Sequence, residues 1–387
     1  IFFIKSEEEI MRELTEIRDD IDDIDNQILQ LYQKRMNLAT DVCEYKIANH
    51  KDIFDKKREE EKLKSISQQT TDSFLKLGLE ELFEQIMSTS RKKQYQILAA
   101  SKTFDLYDFQ SIPSYDFHSA SVVFQGVEGA YSQLAMKKFF GETKNSFHVD
   151  TWRDAMEALQ SNQADYAVLP IENSKAGAVY ENYDLIEAYD CAIIGETILS
   201  IEHALLGLKG ACLEQITDVY SHPQALMQCS RFLQEQHPNI HVHPMANTAM
   251  SAMKVKEDGN FFAAAIADQI NASLYDLDII ASEIADDSNN QTRFVIISRN
   301  KTFLEKAHCI SICFELPNNK GSLYHILSHF AFNGLNMSRI ESRPIVGKNW
   351  EYRFFIDFEG NLNDDGVRNA LLGLKEETSS LRVLGNY

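Results

Sequence analysis

A chain of 387 residues is long enough for two or three domains with cores of their own, and its formal net charge of -20 excludes nucleic acid as a partner, because phosphate binding needs a basic face. Any anion such an acidic protein binds must meet cations gathered locally. The six cysteines (Cys43, Cys191, Cys212, Cys229, Cys309, Cys313) are scattered without a Cys-x-x-Cys pair and read as small hydrophobes of a reducing compartment. No apolar run approaches the roughly 20 residues of a membrane span, so a cytoplasmic protein without membrane contact is expected. The leading Ile1-Phe2-Phe3-Ile4 is too short for a signal-peptide core, and the absence of an initial Met leaves the true start open.

No proline precedes Pro113, and Gly78 is the only glycine before Gly126, which is the composition of an all-helical module. Apolar residues recur at Ile10, Leu14, Ile17, Ile21, Ile24, Ile28, Leu31, Leu38, Val42 and Tyr45, in alternating steps of four and three. That is the seam of one long helix packed on partner helices. Arg35 interrupts the seam, and a cation there calls for a buried anion. Arg18 and Lys46 flank the same stripe, where long stems ordinarily lead out to water. At ~1.5 Å per residue Arg18 lies roughly 25 Å from Arg35 and roughly 42 Å from Lys46. No small anion spans those distances on one helix. A shared ligand therefore requires two antiparallel copies, and hence a homodimer.

A second helix begins at Asp55, a candidate N-cap, with Leu63 and Ile66 on its apolar side and Arg58 and Glu59 one turn earlier. A third spans about Leu79 to Leu98, with Ser90 and Gln94 where apolar residues belong. Three helices that each lose apolar character on the inner face describe a polar pocket in a bundle. Arg18, Arg35, Lys46, Asp55, Arg58, Glu59, Ser90 and Gln94 match in type and spacing the active site of the all-helical chorismate mutases. The stretch 6–98 most resembles the mutase domain of bacterial P-proteins, the bifunctional chorismate mutase–prephenate dehydratases. The resemblance implies an intertwined dimer.

The mutase reaction is pericyclic and needs neither nucleophile nor metal. It needs the dicarboxylate held in its reactive chair, with donors facing the breaking C–O bond. Arg18 of one subunit and Arg35 of the other would clamp the two carboxylates. Lys46 and Gln94 would face the ether oxygen, and Asp55 and Glu59 would hold the ring hydroxyl, supported by Arg58 and Ser90.

Residues 99–118 lack helical period and read as a linker. From 119 to 299 short strands alternate with amphipathic helices, an α/β domain with largely parallel sheets. Polar clusters follow the strands at Glu172-Asn173-Ser174, Ser221-His222-Pro223-Gln224 and Asn247-Thr248, each near a helix N-terminus able to attract an anion. His237, His241 and His243 read as structural rather than metal-binding. Thr292-Arg293-Phe294 opens the last strand, with Thr292 and Phe294 on one side and Arg293 on the other. This region resembles prephenate dehydratase, whose Thr-Arg-Phe signature it carries, with Val127 where relatives usually have Pro. The resemblance implies a two-lobed fold like type II periplasmic-binding proteins, with the site in the cleft. Thr292 would act at the leaving hydroxyl, with Glu172 or His222 as the proton source. Asn173, Ser174 and Ser221 would bind carboxylates, with Arg293 and Phe294 also in contact with substrate.

Residues 310–387 read strand, helix, strand, strand, helix, strand, an α+β ferredoxin-like order. They resemble an ACT domain. Gly321-Ser322-Leu323 stands at its Gly-Ala-Leu position, and Glu341-Ser342-Arg343-Pro344 matches its phenylalanine-binding signature. The expected protein is thus multidomain and bifunctional. It would convert chorismate to prephenate and prephenate to phenylpyruvate, with L-phenylalanine as inhibitor and no cofactor or metal. The alternatives are a non-catalytic dimeric sensor of small dianions or amino acids, and a mutase fused to an arogenate dehydratase.

Overall fold

A computed structural model describes residues 12–100, 108–141, 145–287, 289–345, 347–348 and 350–387. Ile10, residues 6–11 of the helical module and part of the 99–118 stretch lie outside the described residues. The chain divides into two compact units. One holds residues 1–106, 314–354 and 362–381, and the other 107–313, 355–361 and 382–387. Among the described residues no helix is long and apolar enough to cross a membrane.

The first unit contains three helices, α1 (Leu14–Ala48), α2 (Lys56–Ser67) and α3 (Ser73–Ala100). Asp55 caps α2 by accepting from Arg58 N at 3.0 Å. α3 starts six residues before the expected Leu79, because Asp72 caps it, accepting from Leu75 N at 2.9 Å. Gly78 therefore lies inside a helix, on a side where an added Cβ would meet nothing. The C-terminal half of α1 packs on α3, with Cys43 fully buried. The N-terminal half does not: Ile21, Ile24, Ile28 and Leu31 are 50% to 65% exposed.

α3 is buried on a second side as well. The Asp365–Glu377 helix packs against it, and Leu372 joins Ile53, Tyr95, Leu98 and Ala99 in one apolar cluster. This is why Arg91, Lys92 and Tyr95 are buried beside Ser90 and Gln94. The Ser322–Phe332 helix packs in turn on Asp365–Glu377, with the His329 imidazole filling the space over Gly373.

The second unit has two lobes. In the first, strands 192–200, 291–298, 166–173, 122–125 and 146–149 are hydrogen-bonded in that order. In the second the order is 278–281, 204–207, 263–267, 218–221, 241–244. The chain crosses between lobes at 200–204 and returns at 281–291. Both sheets are mixed rather than largely parallel. The returning strand 291–298 enters from the other lobe and so runs antiparallel to both neighbours. The 99–118 stretch is also not all linker: Gln110–Ile112 is a strand paired with Thr302–Leu304.

The C-terminal elements are strand Cys309–Leu316, helix Ser322–Phe332, strands Met337–Pro344 and Tyr352–Glu359, helix Asp365–Glu377 and strand Ser380–Asn386. Their strands are ordered 337–344, 352–359, 309–316, 380–386. Gly385 pairs with Ile193, and an added Cβ would stand 2.1 Å from the Ile193 carbonyl, so only glycine fits.

Candidate active sites

The inner face of α1, α2 and α3 lines a cavity of about 310 Å³. Arg35, Lys46, Asp55, Arg58, Glu59, Ser90 and Gln94 all border it, together with Leu38, Val42 and Met87. Arg35 Nη1 donates to Ile86 O at 3.1 Å and to Ser90 Oγ. Burial pulls its guanidinium below the ordinary value, opposed by Glu59 and Tyr32. Lys46 Nζ donates to Ile53 O in the turn before α2. Gln94 Nε2 donates to Ser90 O at 3.2 Å, while its buried Oε1 has no hydrogen-bond partner. A buried amide with one end unsatisfied is costly, and it calls for a donor from whatever fills the cavity.

Arg18 does not border this cavity. It is exposed on α1, in the half whose apolar stripe is also exposed. Arg91 also borders the cavity, although its sequence context does not mark it. Its Nη1 donates to Glu59, and its guanidinium carbon lies 4.7 Å over the Phe54 ring. In sequence it is the first cation of Arg91-Lys92-Lys93, a run that reads as a solvated face.

In the second unit, register brings Thr292 opposite Asn173 and Arg293 opposite Glu172. Directly opposed residues share a face, and successive residues alternate. Asn173 Nδ2 accordingly donates to Thr292 Oγ1 at 2.8 Å, to Asn290 Oδ1 at 2.9 Å and to Gln291 O at 3.1 Å. Asn173 Oδ1 accepts from the backbone N–H groups of Lys175 and Ala176 at 3.0 and 2.9 Å. Because Thr292 Oγ1 accepts from Asn173, its own proton is left to point elsewhere.

Other expected contacts are placed differently. Glu172 lies on the Arg293 face, 4.0 Å from Arg293 Nη1, and so on the side of the sheet away from the Thr292 hydroxyl. Arg293 donates from Nε to Glu196 at 2.6 Å, from Nη1 to Asp357 at 2.6 Å and from Nη2 to Tyr387 OH at 2.7 Å, which leaves it no free edge for substrate. Phe294 is 2% exposed within a core of Val122, Phe124, Met136, Val168 and Ile296. Ser221 is fully buried with its hydroxyl proton on Ile266 O at 2.6 Å, so it presents nothing to a carboxylate. Ser174 closes the loop, donating to Asn289 O at 3.2 Å and accepting from Gln291 N at 2.9 Å.

His222 caps the short helix that begins at Pro223, accepting from Gln224 N through Nδ1 at 3.2 Å. Burial lowers its pKa, so at neutral pH it is a neutral imidazole. The two lobes meet where Asn271 Nδ2 donates to Gly129 O at 3.2 Å and Tyr275 OH to Glu128 O at 2.7 Å. Gly129 has φ +82°, and a Cβ there would stand 2.1 Å from Asn271 Oδ1.

In the C-terminal segment Gly321 adopts φ +80° just before its helix, and Ser322 Oγ donates to Pro317 O at 3.3 Å. Glu341 and Arg343 are half-buried on one face of the strand at the end of the sheet, with Arg339 3.9 Å from Glu341, while Ser342 and Pro344 are exposed. Leu323 is half-buried in the first turn of the helix.

Comparison with known proteins finds two family models in the chain, chorismate mutase type II over residues 17–95 and prephenate dehydratase over residues 122–302. The bifunctional chorismate mutase/prephenate dehydratase of Aquifex aeolicus is 31% identical over 378 residues, 97% of this chain and 98% of that protein. Arogenate dehydratase 5, chloroplastic, of Arabidopsis thaliana is 36% identical over 298 residues, 72% of this chain and 70% of that protein. The crystal structure of prephenate dehydratase from Arthrobacter aurescens, in complex with L-Phe, is 32% identical with a TM-score of 0.63, covering 69% of this chain and 89% of that one.

Proposed function

The chain belongs to the bifunctional chorismate mutase/prephenate dehydratases, with both activities on one polypeptide, and we propose that the bundle cavity binds chorismate with Arg18 supplied by a second copy of α1. The observation that carries this reading is the cavity itself. It gathers nine polar side chains from three helices and the Asp55 cap, seven of them those the sequence singled out, while Arg18 stands exposed on the same rod as Arg35. An antiparallel partner helix would cover the exposed stripe of Ile21, Ile24, Ile28 and Leu31 and deliver Arg18 in one step.

In this reading Arg35 and the partner copy's Arg18 hold the two carboxylates of chorismate in the folded chair. Lys46 would leave the Ile53 carbonyl to face the ether oxygen, joined by Gln94, whose amide would turn over to offer Nε2 in place of the unsatisfied Oε1. The lysine matters most to rate, because its charge meets charge that develops only in the transition state. Asp55 and Glu59 accept from the ring hydroxyl, with Arg58 and Ser90 holding the wall.

For the dehydratase, the Asn173 amide aims and polarises the Thr292 hydroxyl, whose proton goes to the departing hydroxyl to form water as the ring carboxylate leaves as CO2, and solvent then returns a proton to the Thr292 oxygen. The electron pair of the breaking C–C bond aromatises the ring as the C–O bond breaks. L-Phenylalanine at the C-terminal segment, which we read as an ACT domain, would favour a less active dehydratase by binding its two conformations unequally. Glu341 and Arg343, which share one strand face, and the turn at Gly321-Ser322-Leu323 are the groups assigned to it.

Mixed dimers test the mutase pocket. Arg18→Gln and Arg35→Gln should each be inactive alone, while their co-expression restores about a quarter of the wild-type activity, because half the dimers are mixed and each carries one intact site. If the mixture stays inactive, each site draws both arginines from one chain and the pocket is misassigned. Titrating L-phenylalanine against phenylpyruvate formation tests the regulatory reading, and an unchanged rate at saturation removes it.

A further inference from the structure

The Asp365–Glu377 helix ends on two consecutive carboxylates, Glu376 and Glu377, at the end of a helix that repels negative charge. Local helix physics disfavours that pair. The compensation comes from α3 and from the turn between α1 and α2, all within the same compact unit. Glu377 accepts from Arg91 Nε at 2.9 Å, and His329 Nε2 lies 3.2 Å away. The side chains of Arg91 and Glu377 are only 7% and 6% exposed. Glu376 accepts from Ile53 N at 3.2 Å, from Phe54 N at 2.6 Å and from Tyr95 OH at 3.1 Å.

Each carboxylate leads to the cavity in one further step. Arg91 gives its other edge to Glu59, and Ile53 gives its carbonyl to Lys46. A guanidinium is a planar fork, so a carboxylate on its Nε edge sets the direction in which Nη1 points. We propose that Glu377 is a positioning residue of the mutase: by holding Arg91 it keeps Glu59 anchored through one oxygen, leaving the other to accept from the ring hydroxyl of chorismate. The C-terminal segment is then a working part of the mutase pocket as well as a regulatory element. This rests on the assignment of the bundle cavity as the chorismate site.

Without Glu377, Arg91 is free to turn and take both oxygens of Glu59. The contact with the substrate hydroxyl exists in the ground state and the transition state alike, so its loss raises KM and leaves kcat nearly unchanged. In the full-length protein, Glu377→Gln should raise the mutase KM for chorismate by about ten- to hundredfold, the range of a hydrogen bond to a charged group. The rate on prephenate is unchanged in the same preparation. Glu377→Asp, which keeps the charge, should recover part of the loss. In a Glu59→Gln background, Glu377→Gln should add less than about twofold, because the two act on one contact.

A wild-type KM in Glu377→Gln overturns the proposal, and so do losses that multiply in the double variant. A fall in kcat together with melting temperature that Glu377→Asp does not relieve marks a merely structural ion pair. If Glu377→Gln does not fold, Arg91→Lys decides: it keeps the charge but loses the fork through which Glu377 acts, and a wild-type KM there is equally fatal. An unchanged KM in Glu59→Gln instead removes the chorismate pocket itself, a failure separable from that of Glu377.

Discussion

Two buried arginines, Arg91 and Arg293, each follow directly on a residue assigned to substrate, and each gives its guanidinium to acids of the C-terminal segment. Arg91 meets Glu377, and Arg293 meets Asp357 beside Tyr387 OH. Burial lowers both guanidinium pKa values, but the surrounding acids outweigh it and hold both above the ordinary value. The difference lies in backbone geometry. On α3 one residue turns the side chain by about 100°, so Arg91 reaches an outside helix with one edge and the cavity wall with the other. On the 291–298 strand one residue turns it by 180°, so Arg293 is carried to the face opposite Thr292. The arginine next to an assigned residue therefore reaches the cavity wall on the helix and the opposite sheet face on the strand.

The contrast can be broken most sharply at the reactive groups. Lys46→Ala and Thr292→Ala should each cost about a hundred- to thousandfold in kcat of their own reaction, the size of a lost transition-state donor or proton donor. Each should leave the other reaction intact, as followed by the ultraviolet loss of chorismate and by phenylpyruvate in alkali. A variant that impairs both would mean the sites are not separate.

Arg293→Gln comes next. It takes the guanidinium away from Asp357, whose side chain is 5% exposed and keeps the Ser311 hydroxyl as a donor, and should cost about 3–5 kcal/mol of stability. Thermal melting reads that loss, and the mutase rate at low temperature should not change. A protein as stable as wild type that has lost only its prephenate rate would place Arg293 at the substrate and erase the helix–strand contrast.

A smaller effect is expected at Gly373. A Cβ there would stand 2.2 Å from the His329 ring, so Gly373→Ala must displace the imidazole from beside Glu377. Overpacking of this kind costs about 1–3 kcal/mol, readable as a lower melting temperature. A melting temperature at or above wild type would mean that His329 has another place to go.

The smallest effect is one of pH. Burial pushes Glu377 up, but His329 and Arg91 outweigh it and bring it from 4.5 down to about 2. A carboxylate depressed on folding contributes stability that is fully present above its unfolded pKa and is lost as pH falls through the folded one. The melting-temperature difference between wild type and Glu377→Gln should therefore shrink as pH falls from 4.5 towards 2. A difference that is constant over that window would mean the carboxylate is not held ionised by its neighbours.

Helical periodicity marks Arg35, Ser90 and Gln94, which break an apolar face, while the family resemblance assigns Lys46, Asp55, Arg58 and Glu59 to the same pocket, and all seven border the bundle cavity. Periodicity also separated Thr292 from Arg293, since alternation along a strand is local. It could not find Arg91 as a pocket residue: its partner Glu377 is 286 positions away, and a run of three cations looks like a solvated surface until a second helix covers it. Nor could it assign Glu172 to a face, because that follows from the register between strands 166–173 and 291–298, or foresee that Ser221 spends its proton on Ile266. Local rules act over one or two turns of chain. Docking and strand register are set by cores assembled from distant segments, and only the tertiary structure decides them.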